Sequence, residues 1–295
     1  MKILKKILPF REPMDMPDPY FPIKIHRTPF NEYGAILFHH HWHEHIEFLF
    51  FIEGEAMIEC NSEQMHVKAG DLIVLNSTDL HHGISLSENL FYYAIIADTS
   101  LLHSHSVDAV EMKYITPITQ NRISFQNKIS KDSDVNGCIS SLIEEFENRE
   151  FGYELAVKSY LYRLLTILLR KYIVRLLDPS EYQLRVKNLE RFDPIYQYIE
   201  ENYSNKINVD DLAKQMNMSR FYFSRLFKEL TGKTVSDYVN FVRINKSEYL
   251  LRNTSMSISE IAHATGFNDI YYFSRLFKTY KKVAPSKIRR GPADL

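Results

Sequence analysis

The spacing of apolar and polar residues along the 295-residue chain changes near its middle. Between about residues 23 and 100, the apolar residues form short runs that turn residues such as Gly54 and Gly70 separate. Many short runs at a spacing of about 8–12 residues predict the strands of a small barrel or sandwich. The predicted strands cover Ile36–Phe38, Ile46–Ile52, Ala56–Cys60, Gln64–Val67, Asp71–Leu75 and Leu90–Ala97.

Helical periodicity replaces the strand pattern from about residue 134. Apolar residues recur three and four positions apart in two stripes, which predicts two amphipathic helices. The stripes are Ile139, Leu142, Ile143 and Phe146, then Leu155, Leu161, Leu164, Leu165, Leu168 and Tyr172. We expect the second helix to end at Asp178–Pro179–Ser180, and its leucines either to pack on the strands or to pair two chains. The polar residues 178–192 predict a linker, after which Asp193–Pro194 is expected to open the next helix.

One segment of the helical half is repeated. Phe223–Lys228 and Phe273–Lys278 both read FSRLFK, 50 residues apart. Each copy predicts a helix, a tight turn and a second helix, and a longer helix at about Ser236–Arg252 lies between the copies. The expected N-caps are Asn208, Ser219 and Ser257, the last in a capping box with Glu260.

Charge is distributed unevenly, although 36 Lys+Arg and 37 Asp+Glu give a formal net charge of only −1. Residues 190–295 hold 17 basic and 12 acidic side chains, net +5, and residues 1–189 hold the remaining 19 and 25, net −6. A basic half favours a polyanionic partner. Ser224–Arg225 and Ser274–Arg275 lie away from the apolar stripe of each copy, where an arginine could grip guanine in a major groove with two hydrogen bonds.

The second copy, from Gly266 to Lys278 and followed by Ala284–Arg289, resembles the signature of the AraC-type transcription regulators. The resemblance covers about residues 193–290 and implies two helix-turn-helix units joined by one helix. It implies DNA contacts at Arg220, Phe221, Ser224 and Arg225 in the first copy, and at Ile270, Tyr271, Ser274 and Arg275 in the second. The apolar Ile270 can read a thymine methyl group or no base at all.

Histidine is concentrated in the front half, and residues 39–47 read HHHWHEHIE. On an extended strand, His41, His43, His45 and Glu47 point to one face. The segments Gly34–Gly54 and Gly70–His81 resemble the two motifs of the cupins, with one extra residue after Gly34 and with Asn76 and Thr78 in place of Pro and Gly.

The cupin resemblance covers about residues 25–100 and implies a small β-barrel whose mouth binds a ligand. It implies that His41, His43, Glu47 and His81 bind either a small organic effector without metal or one divalent ion. Three imidazoles and one carboxylate suit Zn²⁺, Mn²⁺, Fe²⁺ or Ni²⁺. The remaining histidines of the cluster, His39, His40 and His45, are expected at the surface or the rim. The aromatic residues Trp42, Tyr92 and Tyr93 would suit a sugar or a related metabolite as the effector.

These patterns predict an α+β protein with four segments: a cupin-like effector-binding domain (1–125), a helical dimerisation segment (126–178), a linker (179–192) and a double helix-turn-helix DNA-binding domain (193–292). We expect a homodimeric transcription activator, not an enzyme, that binds promoter DNA, a small-molecule effector and RNA polymerase. The alternative is a metal-dependent cupin enzyme fused to a DNA-binding module, which turnover of a bound compound would favour. No cofactor is expected unless the pocket holds the divalent metal. No apolar stretch approaches 18 residues and there are only two cysteines, so we expect a reduced cytoplasmic protein without a membrane span.

Overall fold

The structure is a computed structural model that describes residues 11–12, 15–61, 63–102, 109–281 and 283–289. The described residues form two compact units, and the chain passes from the first to the second between Glu190 and Arg191. The domain ends that the sequence predicts at residues 1 and 292 lie outside the described residues. Among the described residues, no helix combines the length and the hydrophobicity that crossing a membrane requires.

The first unit is rich in strands, and the second is helical. The strands are β1 (Ile23–Phe30), β2 (Ile36–His41), β3 (Ile46–Glu53), β4 (Glu55–Cys60), β5 (Glu63–Lys68), β6 (Leu72–Leu75), β7 (His81–Ser85), β8 (Leu90–Ala97), β9 (Ile123–Phe125), β10 (Lys128–Ile129) and β11 (Ile173–Leu176). The helices are α1 (Thr116–Thr119), α2 (Ser133–Asn148), α3 (Tyr153–Lys171), α4 (Pro179–Asn202), α5 (Val209–Gln215), α6 (Arg220–Thr231), α7 (Val235–Asn253), α8 (Ile258–Ala264), α9 (Ile270–Lys281) and α10 (Pro285–Arg289).

Two antiparallel sheets form the body of the first unit. Five strands are ordered β1-β8-β3-β6-β10, and four are ordered β2-β7-β4-β5. Side chains from both sheets meet in one buried cluster that includes Leu49, Phe51 and Ile58. The neighbouring residues Phe48 and Phe50 of β3 point to the other face of the sheet, because side chains alternate along a strand. Strand β3 is therefore apolar on both faces along Phe48–Phe51, as this unbroken apolar run favours.

Helices α2 and α3 cover this second apolar face. Leu161, Leu164, Leu165 and Leu168 are buried in the same cluster as Phe48 and Phe50. Four leucines of the stripe therefore pack on the strands of the same chain, whereas Leu155, at the start of the stripe, is 76% exposed. Helix α3 also ends at Lys171 rather than near residue 178, and β11 follows and pairs with β9.

The predicted linker is helical. Residues 179–192 form the first part of α4, which continues to Asn202 with Pro194 inside it. The segment is polar but rich in Glu, Gln, Leu, Arg and Lys, which all favour helix. Proline removes one backbone hydrogen bond, and the apolar side chains of Phe192, Ile195 and Ile199 are fully buried around it. The expectation that Pro194 opens a new helix is therefore wrong.

The second unit contains two helix-turn-helix pairs, α5–α6 and α8–α9, with α7 between them. The three predicted caps are confirmed: Asn208, Ser219 and Ser257 each accept a backbone N–H, and Ser257 forms the capping box with Glu260. In each turn, the fourth residue after the alanine of the first helix (Ala213 or Ala262) has a left-handed backbone conformation: these residues are Asn217 (φ 52°) and Gly266 (φ 85°).

Candidate functional site

Four side chains that the sequence singles out converge at one point of the barrel. His41, His43, Glu47 and His81 each place one potential ligand atom within 4.8 Å of the others. Glu47 Oε2 lies 3.0 Å from His43 Nε2 and 3.5 Å from His81 Nε2. The predicted grouping of these four residues agrees with their geometry, and its use as a ligand site stays a prediction.

Strand pairing and one bend create the cluster. His41 ends β2 and lies opposite His81, the first residue of β7, so their side chains share a face. The chain then bends at residues 43–45 before β3 begins at Ile46. The expectation of one extended strand over residues 39–47 is therefore wrong, and His45 turns away to place its Nε2 3.4 Å from a carboxylate oxygen of Asp98.

The loop before His81 is tied down by hydrogen bonds. Thr78 stands where the cupin motif has glycine and adopts a left-handed backbone conformation (φ 67°), which is strained for a β-branched residue. Its N–H donates to the carbonyl of His43 at 2.8 Å. Arg185 of α4 donates to the hydroxyl and to the carbonyl of Thr78, at 3.1 and 3.2 Å. These contacts hold the strained residue and so fix the start of β7.

All three histidines are oriented by the same kind of contact. Nδ1 donates to a main-chain carbonyl in each: His41 to residue 39 at 2.7 Å, His43 to residue 45 at 3.0 Å, and His81 to residue 79 at 2.7 Å. A neutral imidazole that donates from Nδ1 carries a lone pair on Nε2. The cluster brings three such nitrogens close to the carboxylate of Glu47. Because lone pairs and a negative charge repel each other, a proton or a cation must lie between them.

The charge state of the cluster follows from its burial. Burial raises the pKa of Glu47, but hydrogen bonds with His43 and His81 outweigh it and hold that pKa far below its usual range. Burial, with the nearby His41, lowers the pKa of His81 to about 4. At neutral pH the site thus combines an ionised carboxylate with at least one neutral imidazole, which is the protonation state in which both groups bind metal.

One residue at the mouth of the cluster escaped sequence reasoning. Glu12 Oε2 lies 2.9 Å from His41 Nε2. The side chain of His41 is 16% exposed, whereas those of His43 and His81 are 1% exposed, so Glu12 meets the cluster at its solvent side. Glu12 belongs to a proline-rich lead-in without periodicity, and no sequence signal marks it.

Of the two tyrosines that the sequence assigns to the pocket, Tyr93 lies away from it. Tyr93 points to the face that carries α2 and α3, and its hydroxyl donates to Glu147 at 3.1 Å. Tyr92 is buried in the barrel core, where its ring stacks on those of Phe30 and Phe51. Tyr93 therefore gives no support to a sugar as the effector.

The second group of predicted residues lies on α6 and α9. Phe223 and Phe273 are fully buried and fix the rotation of each helix, whereas Phe221 and Tyr271 are each 79% exposed. Arg220, Phe221, Ser224 and Arg225 border a groove of about 390 Å³ beside α6. Arg220 pairs with Asp210 at 3.1 Å, and the Arg225 guanidinium lies 5.5 Å from the centre of the Tyr222 ring.

On α9, the exposed face carries the matching residues. Ser274 and Arg275 follow the buried Phe273 as Ser224 and Arg225 follow Phe223, and Ile270 and Tyr271 are exposed. Asp269 caps the helix by accepting the N–H groups of residues 271 and 272 at 2.7 and 3.0 Å. All eight positions that the resemblance implies for DNA contact therefore lie on exposed or half-exposed parts of the two helices.

Fold and site together define a helix-turn-helix protein with a barrel that carries a buried cluster of potential ligands. Comparison with known families gives two matches: residues 29–165 match the AraC-like ligand binding domain, and residues 212–291 match a helix-turn-helix domain. The chain belongs to the AraC-type regulators, as the sequence predicts.

Three similar proteins illustrate the relationship. The Msm operon regulatory protein of Streptococcus mutans is 33% identical over 137 residues, which are 46% of this chain and 48% of that protein. The HTH-type transcriptional activator RhaS of Escherichia coli O139:H28 is 30% identical over 52% of this chain and 54% of its own length. The uncharacterized HTH-type transcriptional regulator YdeC of Bacillus subtilis is 22% identical over 91% of this chain and 92% of its own.

The matched region thus spans about half the length of the first and second of these relatives and nearly all of the third. Two are named as regulators and one as a transcriptional activator. The comparisons therefore support a regulator and give no support to the alternative of a cupin enzyme fused to a DNA-binding module.

Proposed function

We propose that the chain is a sequence-specific DNA-binding transcription regulator, and that a small-molecule effector binds at His41, His43, Glu47 and His81. The observation that carries the DNA-binding part is the duplicated Ser-Arg pair, exposed after a buried phenylalanine on both α6 and α9. A major groove admits one helix, and arginine can bind the O6 and N7 atoms of guanine with two hydrogen bonds.

The length of α7 fits this proposal. Its 19 residues span roughly 28 Å at about 1.5 Å per residue. Successive major grooves on one side of a duplex lie about 34 Å apart, so two helices flanking α7 have a suitable spacing. We further propose that the regulator is a homodimer, acts as an activator with RNA polymerase, and works in the cytoplasm.

Selection of binding sites from random DNA tests the DNA-binding proposal. With full-length protein, Arg225→Ala and Arg275→Ala are expected to relax sequence preference at two positions about one helical turn apart, each by about 1–3 kcal/mol. Arg170→Ala, on the exposed side of α3, is the matched control and should leave the selected sequence unchanged. Uniform weakening across all sequences would show that the two arginines hold phosphates, and no selected sequence at all would refute the proposal.

A divalent transition metal is a second candidate for the barrel site, because of the orientation of the histidines. The carbonyl contacts at Nδ1 are those that fix the tautomer of metal-binding histidines. His41, His43 and His81 would bind the ion through Nε2, and Glu47 through Oε2. A bound cation would supply a positive charge that neutralises Glu47 and attracts an electron-rich effector.

Metal content measured by mass spectrometry tests this candidate. The purified protein is expected to carry about one equivalent of a divalent ion, and His43→Ala is expected to lose it. His66→Ala is the control, because His66 lies at the surface and pairs with Glu55. If wild-type protein neither retains nor takes up Zn²⁺, Mn²⁺, Fe²⁺ or Ni²⁺, the cluster is only a hydrogen-bonded network and the metal candidate fails.

A further inference from the structure

We propose that Glu12 is an additional, exchangeable carboxylate ligand of this metal site, and that a small carboxylate from solution takes its place as the effector. The inference rests on the metal-binding function proposed above. It extends the site from the four barrel residues to the segment that precedes the barrel.

The contact geometry supports a ligand role for Glu12. Its Oε2 approaches Nε2 of His41, the atom that faces the cluster, because Nδ1 of that ring is already bonded to a carbonyl. In octahedral coordination, two neighbouring donors that bind one ion at about 2.1 Å lie at right angles and so roughly 3.0 Å apart. The separation of 2.9 Å between Glu12 and His41 matches that value, as does the 3.0 Å between Glu47 and His43.

Several contacts of the same segment hold Glu12 in this place. Its N–H donates to the carbonyl of Trp42 at 2.9 Å, and Arg11 forms a parallel bridge with the same residue. The Arg11 guanidinium lies 5.6 Å from the centre of the Trp42 ring and pairs with Glu44 and, at 3.0 Å, with Glu190. The carboxylate is thus positioned by its own backbone and by its neighbour, not only by the cluster.

Exposure separates Glu12 from the other donors and indicates the class of effector. The Glu12 side chain is 45% exposed, whereas the side chain of Glu47 is 9% exposed. The inner carboxylate is therefore fixed, and the outer one can leave into water at little cost. A group that replaces it must satisfy the same imidazole and cation, and another carboxylate does so with equal charge and geometry.

Cobalt substitution tests both parts of the inference. Co²⁺ is loaded into full-length wild type, Glu12→Gln and the control Glu53→Gln, which removes an exposed carboxylate at the end of β3. The visible absorption spectrum reports the coordination of Co²⁺, and competition with a chelator gives its affinity. We expect Glu12→Gln to change the spectrum and to weaken Co²⁺ binding by ~10-fold or more, whereas Glu53→Gln matches wild type.

Titration with acetate then tests the exchange. Acetate is expected to change the spectrum of Glu12→Gln at concentrations at least ~10-fold lower than in wild type, because it no longer competes with a tethered carboxylate. If wild type binds no Co²⁺, the metal function itself fails. If wild type binds Co²⁺ but Glu12→Gln has the same spectrum, affinity and acetate response, the metal function stands and the role of Glu12 is overturned.

Discussion

Replacement of Gly266 by alanine tests the geometry of the second helix-turn-helix. Gly266 has φ 85°, and a Cβ added there would lie 2.5 Å from the carbonyl oxygen of Ser204 and 2.9 Å from its carbonyl carbon. The left-handed conformation costs a non-glycine residue roughly 1–2 kcal/mol. Relief of the clash with backbone atoms adds about 1–3 kcal/mol, as overpacking does elsewhere. Gly266→Ala should therefore lower the free energy of unfolding of the helical unit by about 2–5 kcal/mol.

Two spectroscopic signals separate the units in this experiment. The single tryptophan, Trp42, is buried in the strand-rich unit, so its fluorescence reports that unit alone, whereas far-ultraviolet circular dichroism reports the helices of both units, including α2 and α3. During urea unfolding, Gly266→Ala should shift to lower urea the part of the dichroism change that fluorescence does not follow, and it should leave the fluorescence transition unchanged.

Gly137→Ala is the matched control with the opposite sign. Gly137 lies inside α2, and its added Cβ meets nothing within 4 Å. Alanine at such a position should stabilise the strand-rich unit by about 0.5–1 kcal/mol. A Gly266→Ala protein with the wild-type dichroism midpoint would refute the assigned backbone conformation.

Two further predictions concern the strand-rich unit. Leu161→Asp combined with Leu165→Asp should unfold this unit, because both side chains are buried within it. Leu155→Asp, on the exposed start of α3, should stay folded, so sedimentation of that variant can test the proposed dimer. Asp132→Ala removes the N-cap of α2 and should cost about 0.5–2 kcal/mol at neutral pH. Because the Tyr172 hydroxyl lowers the pKa of Asp132 to about 2, this difference should be present above pH ~4 and vanish as the pH falls through 2, measured by urea unfolding.

Sequence pattern predicted β2 to β6 and β8, and it missed β1 and β7. Strands β3 and β8 are buried on both faces and read as apolar runs. Strand β1 has only one fully buried residue, Ile23, and contains Pro29 near its end, and β7 begins with two histidines. Such strands have no apolar run, and only their pairing with β8 and with β2 and β4 defines them.

The location of the leucine stripe depended on information in a different part of the chain. The stripe on α3 has the spacing of any amphipathic helix, and spacing alone does not identify the covering surface. The alternation in β3 identifies this surface, because Phe48 and Phe50 form a second apolar face that another element must cover. A sheet with two apolar faces predicts a covering layer, which would have assigned α3 to this chain rather than to a second copy.

The sequence predicts which four barrel residues come together, but it does not predict the bend between them or the contact with Glu12. Motif spacing identified His41, His43, Glu47 and His81, because β2 and β7 must bring their ends together for the barrel to close. The bend at residues 43–45 was missed, since an apolar-polar alternation cannot show where a strand stops. Glu12 reaches the site across 29 residues of sequence, and that contact depends on tertiary structure alone.

The duplicated helices are the case in which sequence predicts orientation as well as type. Phe223 and Phe273 are buried at equivalent positions, and each successive residue turns about 100° around a helix, so the Ser-Arg pairs must follow on comparable faces. The residues that start the two helices differ: Arg220 is paired with Asp210, whereas Ile270 is apolar. The two helices therefore share one backbone arrangement, but α6 begins with a positively charged side chain and α9 with an apolar one. On the proposed function, the α6 half of the site should thus depend on salt more than the α9 half.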